Sequence, residues 1–231
     1  MGQRRLRDLI FLSPGDVSLF EPVPARASQA SEIFGVPHFS NFEEALGAGF
    51  DTLVVSTPPA LHDLYVQQAI ERKLNIFAEV PFTLDQSTLE MLISDVSYPA
   101  VVGISHTIRY YPPFRIIRDL LATGQIGTPL YLEYSLGNYL PDWHPYENYR
   151  AFYAQDERFG GAGMDMILHE LGAIQWWMGP VRTVDARLEK LSSLEVNGPD
   201  THNILLTFDS GRGYFHNDII EQGTLGRHVR I

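Results

Sequence analysis

The 231-residue sequence contains no cysteine. That removes disulfide frameworks, thiolate metal sites and cysteine nucleophiles in one step. No apolar run approaches the ~20 residues needed to cross a bilayer, and the Met1-Gly2-Gln3-Arg4-Arg5 terminus lacks a signal-peptide apolar core. Positive charge is scarce. Lys and Arg number 17 against 28 Asp and Glu, a net charge of −11. A surface this acidic repels phosphate backbones and anionic headgroups, so neither nucleic acid nor a membrane is expected as a partner. Internal repeats and low-complexity segments are missing as well. What is present is an ordinary globular composition, 45% hydrophobic and 19% charged. The expectation is a cytoplasmic protein acting on small molecules.

Over residues 1–104, short apolar runs alternate with helical patterns. Residues 17–20 form a strand-length run after the turn signal Ser13-Pro14-Gly15-Asp16. Residues 24–34 read as a helix, with Pro24 at its start and Gly35 past its end. Residues 52–56 are a β-branched run without polar alternation, the mark of a strand buried on both faces. A helix over 61–73, a strand over 75–78, a helix over 85–96 and a strand over 100–104 follow. This order predicts right-handed crossovers and a parallel sheet. Over residues 105–231 the pattern changes. A helix at 112–123 ends at Gly124, and residues 130–136 alternate as a half-buried antiparallel strand would. An aromatic-rich stretch (138–153), a helix (163–178) and strands at 183–191, 203–208 and 213–220 complete the set. Ser210-Gly211 gives the last two strands a hairpin signal. The prediction is an α/β chain: a parallel-sheet domain, then an α+β domain with an open, mostly antiparallel sheet and helices on one face. Exposed sheets of that size need a partner, so the full-length protein is expected to be a homo-oligomer.

Four segments in order carry a resemblance. The first is Phe34-Gly35-Val36-Pro37, with Phe42-Glu43-Glu44-Ala45-Leu46 and the run from Asp51 to His62. The second runs from Ala69 through Glu79-Val80-Pro81. The third is Arg109-Tyr110-Tyr111-Pro112, and the fourth is Gly160-Gly161 through Asp165, His169, Trp176 and Gly179. In this spacing the chain resembles the Gfo/Idh/MocA family of nicotinamide-dependent oxidoreductases, which includes glucose–fructose oxidoreductase and inositol dehydrogenase. The resemblance implies a Rossmann-like dinucleotide-binding domain over 1–104 and a substrate and oligomerisation domain over 105–231. It implies hydride transfer between a secondary alcohol of a sugar or cyclitol and NAD, with NADP an alternative. Gly2 matches the last glycine of the family's G-x-G-x-x-G turn; the first strand and the two earlier glycines are absent, leaving the phosphate cradle incomplete and the sheet without its central strand. Residues 223–231 look like an internal strand pair. The reading is a fragment or misplaced start of a longer chain. A naturally shortened, catalytically silent homologue acting as a ligand-binding or assembly subunit is the alternative.

Individual residues sharpen these expectations. Glu21, at the end of the first strand run, suits the adenosine ribose hydroxyls and would repel the extra phosphate of NADP; an ordinary solvated Glu before Pro22 is the other reading, and Arg26 keeps NADP open. Thr57, Pro58 and His62 follow a strand's carboxyl end, where open parallel sheets bind ligands. The alternative is a Pro-Pro turn with His62 in the first turn of a helix. Glu79-Val80-Pro81 departs from the family's Glu-Lys-Pro, whose lysine binds substrate and assists proton transfer. Val80 has neither charge nor proton, while Glu79 remains a cofactor contact and Pro81 keeps the turn, with a cis bond an option. Asp165 and His169, four apart, share one face of a helix. The family places there a His, with an Asp one turn before it, that binds polyol hydroxyls and acts as general acid/base. A carboxylate beside an imidazole raises its pKa and orients it; a helix-surface hydrogen bond is the plain alternative. By resemblance Arg109 matches a family arginine that helps shape the cleft between domains; capping or salt-bridging the neighbouring helix is the alternative. Trp143 and Tyr149 belong to a polar-aromatic loop of the kind that stacks on sugar rings; packing between loop and sheet accounts for them as well. No metal site is expected: Ala173 stands where the second His of a zinc motif starting at His169-Glu170 would be.

Overall fold

The computed structural model describes residues 1–94, 97–223 and 226–231, and the chain divides into two units. The first comprises Met1–Thr57 and Leu61–Ile104; the second comprises Pro58–Ala60 and Ser105–Ile231.

In the first unit, helices alternate with short parallel strands. Helix α1 (Gly2–Leu12) has no side-chain cap at its start and buries Leu6. It leads to β1 (Leu19–Phe20), α2 (Pro24–Phe34), β2 (His38–Phe39) and α3 (Phe42–Gly47). Proline occupies the first turn of α2, where its missing N–H costs nothing, and Gly35 ends the helix at φ 66°. The Asn41 side chain caps α3 by accepting the N–H groups of Glu43 and Glu44. Then come β3 (Thr52–Val55), α4 (His62–Glu71), β4 (Asn75–Ala78), α5 (Gln86–Ser94) and β5 (Val102–Ile104). The last two residues of the helix expected over 85–96 lie outside the described residues.

All strand pairs here are parallel, as the sequence pattern predicts, but they form two sheets: β1-β2 and β3-β4-β5. The expected strand at 17–20 shrinks to two residues, and β2 was not anticipated. Nor is the run at 52–56 buried on both faces: in β3 only Val55 is buried. β3 is an edge strand, so the deep positions fall on central β4, at Ile76 and Ala78. No strand pairing joins the two sheets among the described residues. Aromatic packing does: Phe20 of β1 meets Phe42 of α3 at 5.3 Å between ring centroids, and Phe42 meets Tyr65 of α4 edge-on at 4.8 Å.

The second unit begins with α6 (Pro112–Ala122), then β6 (Tyr131–Gly137), the short α7 (Leu140–Trp143) and the long α8 (Gly161–Met178). Strands β7 (Thr183–Glu189), β8 (Thr201–Thr207), β9 (Arg212–Asp218) and β10 (Gly226–Arg230) follow. The sheet order is β10-β6-β9-β8-β7. Three of its four pairings are antiparallel, while β6 runs parallel to β9. The strand expected to be antiparallel at 130–136 is so beside β10 but not beside β9: alternation reports one buried face and says nothing about the direction of a neighbour. In place of the strand pair expected near residue 226, one strand, β10, pairs with β6; Thr224 and Leu225 lie outside the described residues.

Leu132, Tyr134 and Leu136 of β6, Ile204 and Leu206 of β8 and Phe215 of β9 form a core with Ala173, Ile174 and Trp177 of α8. The Trp177 indole N–H donates to the Phe114 carbonyl of α6, 3.1 Å away, and so locks the two helices together. The side chains alternating with these strand positions, among them Tyr131, Glu133 and Leu205, are exposed, so the sheet is covered on one face.

Candidate active site

Helix α8 carries a pair of titratable groups on one face. Asp165 and His169 stand one turn apart, with His169 Nε2 3.7 Å from Asp165 Oδ1. The phenol of Tyr153 donates to the other carboxylate oxygen at 3.2 Å, which fixes the Asp165 side chain from outside the helix. Both members of the pair remain partly open, with side-chain exposures of 29% for His169 and 19% for Asp165. They line a cavity of about 400 Å³ with Thr107, Asn138, Met166, Glu170 and Arg227. A hydroxyl, an amide, a carboxylate and an imidazole around one cavity suit a ligand rich in hydroxyl groups.

Two of the lining residues, Glu170 and Arg227, belong to an ionic network at the cavity wall. Glu170 is 2% exposed and accepts both the Tyr134 hydroxyl and Arg227 Nη2, the latter at 2.7 Å. Burial pushes the Glu170 carboxyl up, while the Arg227 guanidinium and the Tyr134 hydroxyl pull it back. Burial, with the Glu170 charge, also holds the Tyr134 phenol far above its usual range. Arg227 lies over the Phe114 ring at 5.6 Å, so β10 is tied to both α8 and α6 through one side chain.

In the first unit, Glu21, Thr57, Glu79 and Pro81, all expected to hold a cofactor, follow the carboxyl ends of β1, β3 and β4. Gly2 opens α1, and a Cβ there would lie 3.9 Å from Ser56 Cβ, just past β3. The Ser56 and Thr57 hydroxyls are buried with no hydrogen-bond partner among the described residues. Orphaned hydroxyls beside the uncapped start of a helix are what a phosphate- or ribose-bearing ligand would satisfy, so these residues fit a dinucleotide. Glu21 follows β1, and one of its carboxylate oxygens accepts the Val23 N–H at 3.0 Å. Glu79 is nearly buried and paired with Arg5 of α1, at 2.5 Å and 3.3 Å. The Val80–Pro81 peptide is cis, and Val80 is buried.

Several expected site residues prove to be elsewhere. His62 is completely buried, with Nδ1 2.6 Å from the Pro81 carbonyl and Nε2 2.9 Å from the Thr57 carbonyl. It ties the loop after β3 to the turn after β4, and both ring nitrogens are engaged inside the unit instead of facing a ligand. Arg109 lies in the 3-10 turn Thr107–Tyr110 and stacks over Trp176 at 5.7 Å; it does not line the cavity. Trp143 and Tyr149 pack against the core and do not line it either. Arg150 covers the Tyr149 ring at 4.6 Å, and the Tyr149 hydroxyl accepts the Glu195 N–H. Loop-to-sheet packing explains these two aromatics.

Other residues escaped the sequence reading. Asn138, Glu170 and Arg227 come to the cavity from three separate parts of the chain, Tyr153 reaches Asp165 from a fourth, and no local spacing links them. Glu170 carried one signal: a charged residue inside an otherwise apolar helix face needs a partner.

Comparison with known proteins identifies the family of each part of the chain. Residues 16–96 match the family model described as "Oxidoreductase family, NAD-binding Rossmann fold", and residues 114–231 match that of the "GFO/IDH/MocA C-terminal domain". An uncharacterized oxidoreductase of Bacillus subtilis, YrbE, is 29% identical over 70% of this chain and 46% of its own length. D-apiose dehydrogenase of Rhizobium rhizogenes is 24% identical over 85% of this chain and 56% of its own length. The scyllo-inositol 2-dehydrogenase (NAD(+)) of Bacillus subtilis is 25% identical over 57% of the chain and 40% of its own length. The chain thus spans about half the length of the curated relatives it matches. Among solved structures, GenD2 from gentamicin A biosynthesis, in complex with NAD, superposes with a TM-score of 0.83 at 20% identity, covering 97% of this chain and 64% of GenD2. The WlbA dehydrogenase of Bordetella pertussis, in complex with NADH and UDP-GlcNAcA, gives 0.82 at 18% identity, covering 96% and 65%.

Proposed function

The chain belongs to the GFO/IDH/MocA family of NAD(P)-linked oxidoreductases, and from that membership we propose that it oxidises a secondary alcohol of a sugar or cyclitol with NAD. The Asp165–His169 pair in its cavity carries the reading. Bound nicotinamide supplies the hydride acceptor. Gly2, Glu21, Ser56, Thr57 and Glu79 are the residues that would hold the cofactor. An acid at position 21 suits free ribose hydroxyls better than a phosphorylated ribose, which favours NAD over NADP.

The proton chemistry falls to the second unit. His169 accepts the substrate hydroxyl proton; Asp165 orients the ring and stabilises the imidazolium, and Tyr153 holds Asp165 in place. Asn138 and Thr107 are placed to hydrogen-bond the remaining hydroxyls. His169→Asn is expected to lower kcat by about 10²–10⁴-fold and Asp165→Asn by a smaller factor. NADH formation with scyllo-inositol as the probe measures both. Equal turnover in His169→Asn and the parent would remove His169 from the mechanism.

A catalytically silent homologue is the second reading, and Val80 favours it. Its side chain is apolar and buried, so it presents no acid or cation at the turn where the family carries lysine. Turnover by the parent rejects the silent reading. Turnover appearing only in Val80→Lys assigns it. The uncovered sheet face of the second unit further supports a homo-oligomer for the full-length protein.

A further inference from the structure

We propose that His106 is a positioning residue for His169: its ring sits against the backbone of α8 at Gly172 and holds the His169 imidazole beside Asp165. The inference rests on the role given to His169 above, and three observations support it. The two imidazoles lie 6.3 Å apart between centroids and almost perpendicular, at 79°. The space His106 occupies exists because residue 172 has no side chain: a Cβ there would lie 2.3 Å from His106 Cε1 and 2.7 Å from its Nδ1. And His106 Nδ1 is buried with no hydrogen-bond partner among the described residues. An orphaned ring nitrogen costs stability that a leucine or phenylalanine would not, so packing alone does not account for a histidine there.

Residues 165, 169, 172 and 176 follow one another at spacings of four, three and four, so they share one face of α8. His106 directly precedes the 3-10 turn that packs on this helix, and Arg109 of the same turn stacks on Trp176. The turn is therefore pinned at both ends along the catalytic face.

The electrostatics divide the two rings. Burial, and then the Arg109 charge, push the His106 imidazole below the ordinary histidine range, so it is uncharged at neutral pH. His169 instead has the Asp165 carboxylate 3.7 Å away. The other titratable groups lining the cavity beside His169 are Tyr111, Glu170 and Arg227. Glu170 and Arg227 are paired with each other, so their charges offset. Two imidazoles this close resist holding a proton each. With His106 neutral, the substrate proton goes to His169 alone.

The test uses three variants of the full chain. His106→Asn removes the ring, Gly172→Ala displaces it, and His106→Phe keeps a ring without its nitrogens. Alanine improves helix propensity over glycine, so a loss in Gly172→Ala reports displacement and not a weaker helix. His106→Asn and Gly172→Ala are expected to move the His169 titration midpoint, read by ¹H–¹⁵N NMR of the imidazoles, by about half a pH unit. With scyllo-inositol as the probe they are expected to lower kcat by about tenfold or more, as a misplaced catalytic group does, with KM changed less than about threefold. His106→Phe is expected to keep the parent's midpoint and most of its kcat. Folded His106→Asn and Gly172→Ala proteins with the parent's midpoint and pH profile would overturn the proposal. So would a His106→Phe protein as impaired as His106→Asn. Absence of NADH formation by the parent would sink the dehydrogenase reading, whereas the NMR shift tests the coupling of the rings independently of it.

Discussion

Asp200 shows how a single carboxylate can organise a connection. It is fully buried just before β8 and accepts the N–H groups of Leu191 and Ser192 at 2.8 and 2.9 Å, the Ser192 hydroxyl, and the Lys190 ammonium at 3.0 Å. Burial alone would raise its pKa, but these donors overcome that cost and hold the carboxyl well below the usual carboxylate range. Because the folded value is depressed, Asp200 contributes stability above the unfolded value of about 3.9 and loses it as pH falls through the folded value. Asp200→Asn is therefore expected to cost about 2–3 kcal/mol at neutral pH, since an amide presents N–H groups to donors already in place. The gap between variant and parent is expected to narrow below about pH 4 in urea titrations. A gap that stays constant from neutral to acid pH would contradict the assignment.

At the scale of elements, the contact between α8 and β8 turns on one missing side chain. Gly163 lies against the buried ring of His202, and a Cβ at 163 would come within 2.4 Å of its Cε1. Gly163→Ala is expected to destabilise the protein by about 1–3 kcal/mol despite the better helix former, because the ring has nowhere to go; thermal melts read the loss. Elements defined by their own residues were legible in the sequence. Pro24, Gly35 and Gly124 marked helix ends, and the runs at 75–78 and 130–136 named their strands to within a residue. What depends on distant partners was not. Neither the direction of β9 beside β6 nor the buried pairing of Glu170 with Arg227, 57 residues apart, leaves a local trace. The Asp165–His169 spacing was readable because it is internal to one helix, whereas the burial of His62 depends on a carbonyl nineteen residues away.

For the molecule as a whole, the sheet of the second unit is the feature with consequences for assembly. Its uncovered face mixes apolar and charged side chains, including Leu205, Tyr131, Glu133 and Arg230. The full-length protein is expected to scatter light as a dimer or larger at tens of micromolar. Monodisperse monomer would count against the proposed homo-oligomer.

The two sheets of the first unit also differ in what holds them. Ladders of backbone hydrogen bonds run through β3-β4-β5, while β1-β2 offers two residues per strand and meets the rest through the rings of Phe20, Phe42 and Tyr65. Segments secured mainly by side-chain contact open at lower free energy than those threaded by a ladder. The amides of the β1-β2 layer are therefore expected to exchange with solvent faster than those of β3-β4-β5. Glu21 directly follows β1, so a ligand held by Glu21 only in the closed layer would also stabilise closure.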